Sequence, residues 1–228
     1  MKKLVVLTGA GMSAESGIRT FRDSNGLWEE YDVMEVASIG GWHKNPELML
    51  RFYNERRKQM YSCQPNRGHL LLAELEKEFE VSIVTQNIDN LHEMAGSSKV
   101  IHLHGELSKA RSSLDPSLIY SIGNRDILMG EKCAKGSQLR PFIVWFGEEV
   151  PAMAEAVPLV ESADILCIIG TSLNVYPAAG LLHYATPACP VFLIDPNPPK
   201  DLPRRIQVIA KGAGEGVEEL AHHLRNLI

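Results

Sequence analysis

The chain has 228 residues, 45% of them hydrophobic, and a formal net charge of −5. That length suits one domain with a small inserted lobe, and the apolar fraction supplies a sizeable core. No basic face of the kind that nucleic acid or a membrane surface attracts is evident, so neither is expected as a main partner.

Residues 4–8 form the first apolar strand. Lys2 and Lys3 precede it and Gly9-Ala10-Gly11 follow at once, so the start reads as a strand and not as a signal peptide. With no apolar run near the ~18 residues that cross a bilayer, a cytoplasmic monomer is the simple expectation. The turn Gly9-Ala10-Gly11-Met12-Ser13-Ala14-Glu15-Ser16-Gly17 then opens a helix. Strand, glycine turn and helix start bring backbone N–H groups toward a pyrophosphate. Alone, this spacing is as often a mere tight turn, and its place after the first strand strengthens the phosphate reading. A dehydrogenase also needs an acidic residue about 20 positions on, at the end of a second strand. Here residues 18–28 are loop-like instead, with Arg19, Phe21, Arg22 and Trp28, which suits closure over a dinucleotide and not ordinary hydride transfer.

Helices are expected over 46–61 and 66–80, the second placing Leu71, Leu72, Leu75 and Phe79 at helical spacing. Continuous apolar runs at 81–85, 142–146, 165–170 and 191–195 read as parallel strands buried on both faces. Residues 108–139 are polar, contain Asp115-Pro116, Gly123-Asn124 and Gly130, and show weak periodicity. With about 18–61 they form the candidate small lobe, and a helix over 214–227 closes the chain. Alternating strands and helices predict an α/β fold, a Rossmann-like parallel sheet with helices on both faces plus the inserted lobe, in a single domain over 1–228. Cys63, Cys133, Cys167 and Cys189 share no CxxC spacing, and disulfides are not expected.

Ligands of open α/β sheets sit at the carboxyl ends of the strands. Three such ends carry polar groups: Gln86-Asn87-Ile88-Asp89, His104-Gly105 and Gly170-Thr171-Ser172. Each alone is ordinary turn chemistry, but three together behind a phosphate-type turn point to a site. His102 and His104 are assigned to opposite faces. His104, beside the small Gly105, is the expected base, because an imidazole accepts a proton near neutral pH.

These segments resemble the sirtuins, the NAD-dependent protein lysine deacylases. The resemblance runs through 9–22, Thr85-Gln86-Asn87-Ile88-Asp89-Asn90-Leu91-His92, His104-Gly105-Glu106-Leu107, 141–148 and Gly170-Thr171-Ser172-Leu173, in family order over almost the whole chain. It implies that NAD and an acyl-lysine protein or peptide meet between a large domain and a small lobe. Nicotinamide leaves, His104 deprotonates a ribose hydroxyl, and O-acyl-ADP-ribose forms. It implies catalytic roles for His104, Asn87 and Asp89. Cofactor contacts are implied for Gly9, Ala10, Gly11, Ser13, Glu15, Thr20, Phe21, Arg22, Trp28, Gln86, Ile88, Gly170, Thr171 and Ser172, with Asp195, Asn197 and Ala213 near the adenosine end. Val144, Phe146, Gly147 and Val175 lie on the two edges between which a substrate strand would add.

In the subclass that prefers acidic acyl groups, a tyrosine and an arginine three residues later bind a carboxylate; here they would be Tyr53 and Arg56. Positions i and i+3 share a helix face, and an arginine fork matches a distal carboxylate. A succinyl or malonyl preference is therefore expected, with acetyl accepted. The family's usual zinc site departs most: Ser112-Ser113-Leu114-Asp115 and Cys133-Ala134-Lys135-Gly136 stand where two CxxC pairs would, and one thiolate does not make a four-ligand site. No zinc is expected. Two rival readings share most of these motifs: an NAD-dependent ADP-ribosyltransferase, and a non-catalytic NAD or ADP-ribose sensor.

Overall fold

The computed structural model describes residues 1–19, 31–171, 173, 175–199 and 202–225. In chain order the strands are β1 (Lys3–Thr8), β2 (Glu80–Thr85), β3 (Val100–His102), β4 (Gly105–Ser112), β5 (Ile119–Ser121), β6 (Leu139–Ile143), β7 (Ile165–Ile169), β8 (Val191–Ile194) and β9 (Ile206–Ile209). Six of them make one parallel sheet in the order β3-β2-β1-β7-β8-β9. The order reverses between β1 and β7, where Thr8 pairs with Ile169 on one side and Thr85 on the other. A reversal of this kind opens a crevice beyond the strand ends.

Successive side chains of a strand point to opposite faces, and the two faces of this sheet carry two cores. Leu4, Val6, Ile83, Cys167 and Phe192 pack under the helices Arg67–Glu74 and Ala213–Arg225. Val5, Leu7, Val84, Leu166 and Ile168 pack under the helix Met153–Glu161 and the 3-10 turns of Ala178–Tyr184. A strand covered on both sides needs apolar residues throughout, which is why β1 and β7 lack alternation.

A third core lies outside the sheet. The helix Pro46–Ser62 starts cleanly, with the Asn45 side chain accepting from Leu48 N–H and proline in its first turn. Its Met49, Phe52, Tyr53 and Met60 meet Leu107, Ala110, Leu139 and Ile143 of a three-stranded antiparallel sheet, β5-β4-β6, and Trp145 just after it.

Two sequence expectations are corrected. Residues 142–146 are not a strand of the parallel sheet: β6 ends at Ile143 and pairs antiparallel with β4, Gly105 opposite Ile143. Ile143 and Trp145 of the run line the third core, and a short apolar run does not say which sheet it joins. The helix expected over 66–80 ends at Glu74, continues as a 3-10 turn over Leu75–Lys77, and gives way to β2 at Glu80. The final helix spans Ala213–Arg225; residues 226–228 lie outside the described ones. Among the described residues no helix is long and apolar enough to cross a membrane.

Candidate active site

The exits of β1 and β7 touch. Gly9 N–H donates to Ile169 O at 3.0 Å and Gly11 N–H to Gly170 O at 2.9 Å. A Cβ on Gly9 would lie 2.7 Å from Gly170 O, and one on Gly11 would lie 2.7 Å from Gly170 Cα. Gly170 itself has φ +61°, so three glycines are demanded by this close approach. The N–H groups of Gly9, Gly11, Met12 and Ser13 are all bonded to carbonyls of the two loops. That leaves side chains, not these donors, to meet a ligand.

The exit of β2 supplies those side chains. Asn87 Nδ2 donates to Gly9 O at 3.0 Å and Ser13 Oγ at 3.2 Å, and Ser13 Oγ donates to Asp89 Oδ2 at 3.0 Å. Gln86 Nε2 reaches Thr171 Oγ1 at 3.2 Å, which joins the exits of β2 and β7. Ile88 O accepts from Leu107 N–H at 2.8 Å and ties the loop to β4. Asp89 is buried, and burial raises its pKa, partly offset by the Leu91 N–H and the Ser13 hydroxyl.

His104 sits in the turn between β3 and β4. Its Nδ1 lies 3.1 Å from Gln86 O. A carbonyl only accepts, so Nδ1 carries the hydrogen and Nε2 of the neutral ring holds a lone pair. Burial lowers the pKa of this imidazole, which keeps it neutral at physiological pH. His102 Nδ1 lies 3.0 Å from the next carbonyl, Asn87 O. The assignment of the two histidines to opposite faces therefore fails. Positions two apart on a strand share a face, β3 ends at His102, and both rings reach the same loop.

The segment after β6 borders His104. Val144 N–H donates to His104 O at 2.9 Å, Phe146 N–H to Ala37 O at 2.8 Å, and Ile39 N–H to Phe146 O at 3.0 Å. Three of the main-chain groups expected to receive a substrate strand are thus paired within the chain. Phe146 and Gly147 remain exposed, and Val175 is half-buried. Tyr53 and Arg56 are buried on the inner face of their helix. The Tyr53 hydroxyl accepts from Trp145 Nε1 at 2.9 Å, and burial raises its pKa. Burial lowers Arg56 to about 10, against the attraction of Tyr53 and Asp89, so its guanidinium stays charged.

Not every expected residue joins this cluster. The Glu15 carboxylate is exposed and accepts from Gly214 N–H at 3.2 Å, in the first turn of the helix Ala213–Arg225. Asp195 closes an Asx turn on Asn197 N–H at 2.8 Å, beyond β8, and Ala213 is buried in the first core. Thr20, Phe21, Arg22, Trp28 and Ser172 lie outside the described residues.

Two supporting networks escaped the sequence reading. Thr8 Oγ1 bonds Thr85 Oγ1 at 2.8 Å and His92 Nε2 at 3.1 Å, and Thr85 Oγ1 accepts from Asn87 N–H at 3.0 Å. In the small lobe, Arg140 is clasped by Glu148 at 2.7 and 2.9 Å and lies 3.4 Å from the Trp145 ring centroid. Arg111 adds a third contact to Glu148 at 2.8 Å. A lone arginine inside the apolar stretch 139–146 was the available signal for the second network.

A family model described as "Sir2 family" matches residues 9–177. The chain belongs to the Sir2 family. The match takes in the glycine turn, the 86–89 loop, His104 and the segment after β6, while Asp195, Asn197 and Ala213 lie beyond it. An "NAD-dependent protein deacylase" of Bacteroides thetaiotaomicron is 60% identical over 226 residues, covering 96% of this chain and 97% of the relative. One of the same description from Helicobacter pylori is 53% identical over 221 residues, covering 96% of each. A crystal structure described as a Sir2 homolog–NAD complex superposes with a TM-score of 0.89 at 39% identity, over 99% of this chain and 90% of that one. A Sir2 protein with a deacetylated p53 peptide and 3'-O-acetyl ADP-ribose reaches 0.84 at 32% identity, over 96% of this chain and 92% of that one. The Sir2 fold is thus the one described above, a six-stranded parallel sheet with a second, small sheet lobe.

Proposed function

We propose that this chain removes acidic acyl groups, succinyl or malonyl ahead of acetyl, from protein lysines while consuming NAD. Its standing as an NAD-dependent protein deacylase follows from the Sir2 family and from curated relatives that carry this activity at 60% and 53% identity. NAD supplies a labile ribosyl–nicotinamide bond and the ribose hydroxyl that receives the acyl group.

The residues present suit that substrate. Gly9, Gly11 and Gly170 allow three loops to converge where the sheet order reverses, and Ser13, Gln86, Asn87, Asp89 and Thr171 offer polar side chains there. His104 Nε2 accepts the hydroxyl proton. Asn87 and Asp89, locked to the glycine turn through Ser13, orient the ribose. Phe146, Gly147 and Val175 border the path of the peptide, and Asp195, Asn197 and Ala213 serve the adenosine end.

The acidic preference rests on one observation: Tyr53 and Arg56 are buried together beside the Asp89 loop, and Trp145 holds the tyrosine oxygen. A buried cation beside the acyl path favours an acyl group that ends in a carboxylate. With succinyl-, malonyl- and acetyl-lysine peptides, mass spectrometry should show the acidic groups leaving fastest. Arg56→Met should lower the succinyl-to-acetyl ratio of kcat/KM roughly 10- to 100-fold, the weight of a charge-assisted bond. Wild-type protein faster on acetyl would sink the preference. Peptides that gain ADP-ribose, or that do not change, would instead mark a transferase or a sensor.

The small lobe, on the same reading, folds without zinc. Ser112 Oγ lies 2.7 Å from Ser137 Oγ, and Cys133 Sγ lies 3.0 Å from Ser137 Oγ and 3.4 Å from Ser112 Oγ. Hydroxyls thus occupy the surroundings of the one thiol, and neutral hydroxyls are poor zinc ligands. Metal analysis of purified protein is expected to find well under one zinc per chain; a stoichiometric ion would overturn this.

A further inference from the structure

His102, which ends β3, has its ring between two acceptors. Nδ1 lies 3.0 Å from Asn87 O and Nε2 lies 2.7 Å from Glu93 Oε1. The carbonyl has no proton to give, so Nδ1 donates. Burial pushes the Glu93 carboxyl up, but its contacts with His102 and the nearby Lys109 more than reverse this, and it stays ionised. Nε2 therefore donates as well. A ring with two donors is an imidazolium, and this one is only 7% exposed.

We propose that His102 is a positioning residue: a buried imidazolium, braced by Glu93, that fixes the Asn87 main chain and so aims the Asn87 side chain at NAD. The rest of Asn87 is already pinned. Its N–H donates to Thr85 Oγ1 and its side-chain amide to Gly9 O and Ser13 Oγ. The carbonyl is the remaining handle on the peptide plane, and His102 holds it with a charged donor, roughly twice as strong as a neutral one. This rests on the reading of the 86–89 loop as part of the NAD site.

The charged and titratable groups around His102 come from three elements. Glu93 and His92 belong to the helix Leu91–Ala95, Asp89 to the loop before it, and Glu106 and Lys109 to β4. Burial works against the cation, yet Glu93, the Asn87 carbonyl and Glu106 together raise the His102 pKa above its usual value. His92 stays neutral, held well below the usual range by its own burial. The sign follows: the doubly donating ring is fully present below about 6.5, the unperturbed value, and is lost as pH rises through the raised pKa, which leaves one N–H for two acceptors and no charge behind the hold on Asn87. Binding of NAD, read as KM, should weaken on the alkaline side while kcat moves less.

The test combines nitrogen-15 NMR of the imidazole rings with steady-state kinetics on the full chain. Wild-type His102 should show both ring nitrogens protonated at and below about pH 6.5, where a free histidine is already losing its proton. Glu93→Gln should lower its titration midpoint by about one unit or more and start the alkaline rise in KM for NAD correspondingly earlier. His102→Phe should raise that KM about tenfold at neutral pH and remove the alkaline rise. A His102 ring that is neutral at about pH 6.5 overturns the inference, and so does a Glu93→Gln profile that overlays the wild type. A fall in kcat with unchanged KM would mark a purely structural residue and overturn it too. If calorimetry finds no NAD binding to the wild type, the functional reading fails and takes the positioning role with it.

Discussion

Replacing His104 with alanine is expected to cut acyl removal about 10²- to 10⁴-fold, the usual weight of a positioned general base. The bond from Nδ1 to Gln86 O settles the tautomer and leaves Nε2 as the lone-pair nitrogen. Burial lowers the His104 pKa, so the base stays neutral to a lower pH than a free histidine. The rate should accordingly hold constant from neutral pH down past about 6.5, the unperturbed value, and fall only as pH drops through the lowered one. NAD binding should persist in the variant, because Ser13, Asn87 and Asp89 hold one another without the imidazole. Calorimetry with NAD and mass-spectrometric assay of an acyl peptide measure the two separately. A His104→Ala protein that deacylates within tenfold of wild type would falsify the assignment. Loss of NAD binding along with turnover would show that the ring also carries the loop.

Much of this site was legible because its residues sit where local chemistry is unusual. Gln86, Asn87 and Asp89 follow a strand buried from Val81 to Thr85, and His104 precedes a glycine with φ +82°. The strands of the parallel sheet were legible for a similar reason: continuous burial on both faces leaves a continuous apolar run. The edge strand β9 was not, since its two middle residues are exposed and the pattern is interrupted. The sheet membership of 139–143 was illegible too, because pairing of β6 with β4 is a contact across some thirty residues. Donor and acceptor arithmetic was equally out of reach. Nothing in the order of residues puts His102 between Asn87 O and Glu93, or turns Glu15 toward Gly214. A one-residue histidine choice rested on company along the chain, whereas the roles of both histidines follow from which atoms face them.

Glu148→Ala is expected to lower stability by about 3–5 kcal/mol, the cost of stranding the buried cation of an ion pair. Arg140 is 2% exposed and stacks on Trp145, so water cannot replace the lost carboxylate. The effect should spread to the acyl path. Glu148 Oε2 also accepts Trp145 N–H at 2.9 Å, and Trp145 Nε1 donates to the Tyr53 hydroxyl. Burial alone would raise the Glu148 pKa, but Arg140 and Arg111 hold it below the usual range. Its contribution is therefore present above the unfolded carboxyl pKa and lost as pH falls through the lowered folded value. For a chain of this size, 3–5 kcal/mol corresponds to a drop in Tm of roughly 6–20 °C. Calorimetric melts at neutral pH, with and without a strong chelator, test two causes of lobe cohesion together. The chelator should leave the wild-type Tm unmoved, because the third core and the Arg140–Glu148–Arg111 cluster hold the lobe. Glu148→Ala should melt early in either condition. A variant that melts within 2 °C of wild type would mean, on the same scale, that the ion pair is no better than solvent for Arg140, and the lobe would then owe its shape to apolar packing alone.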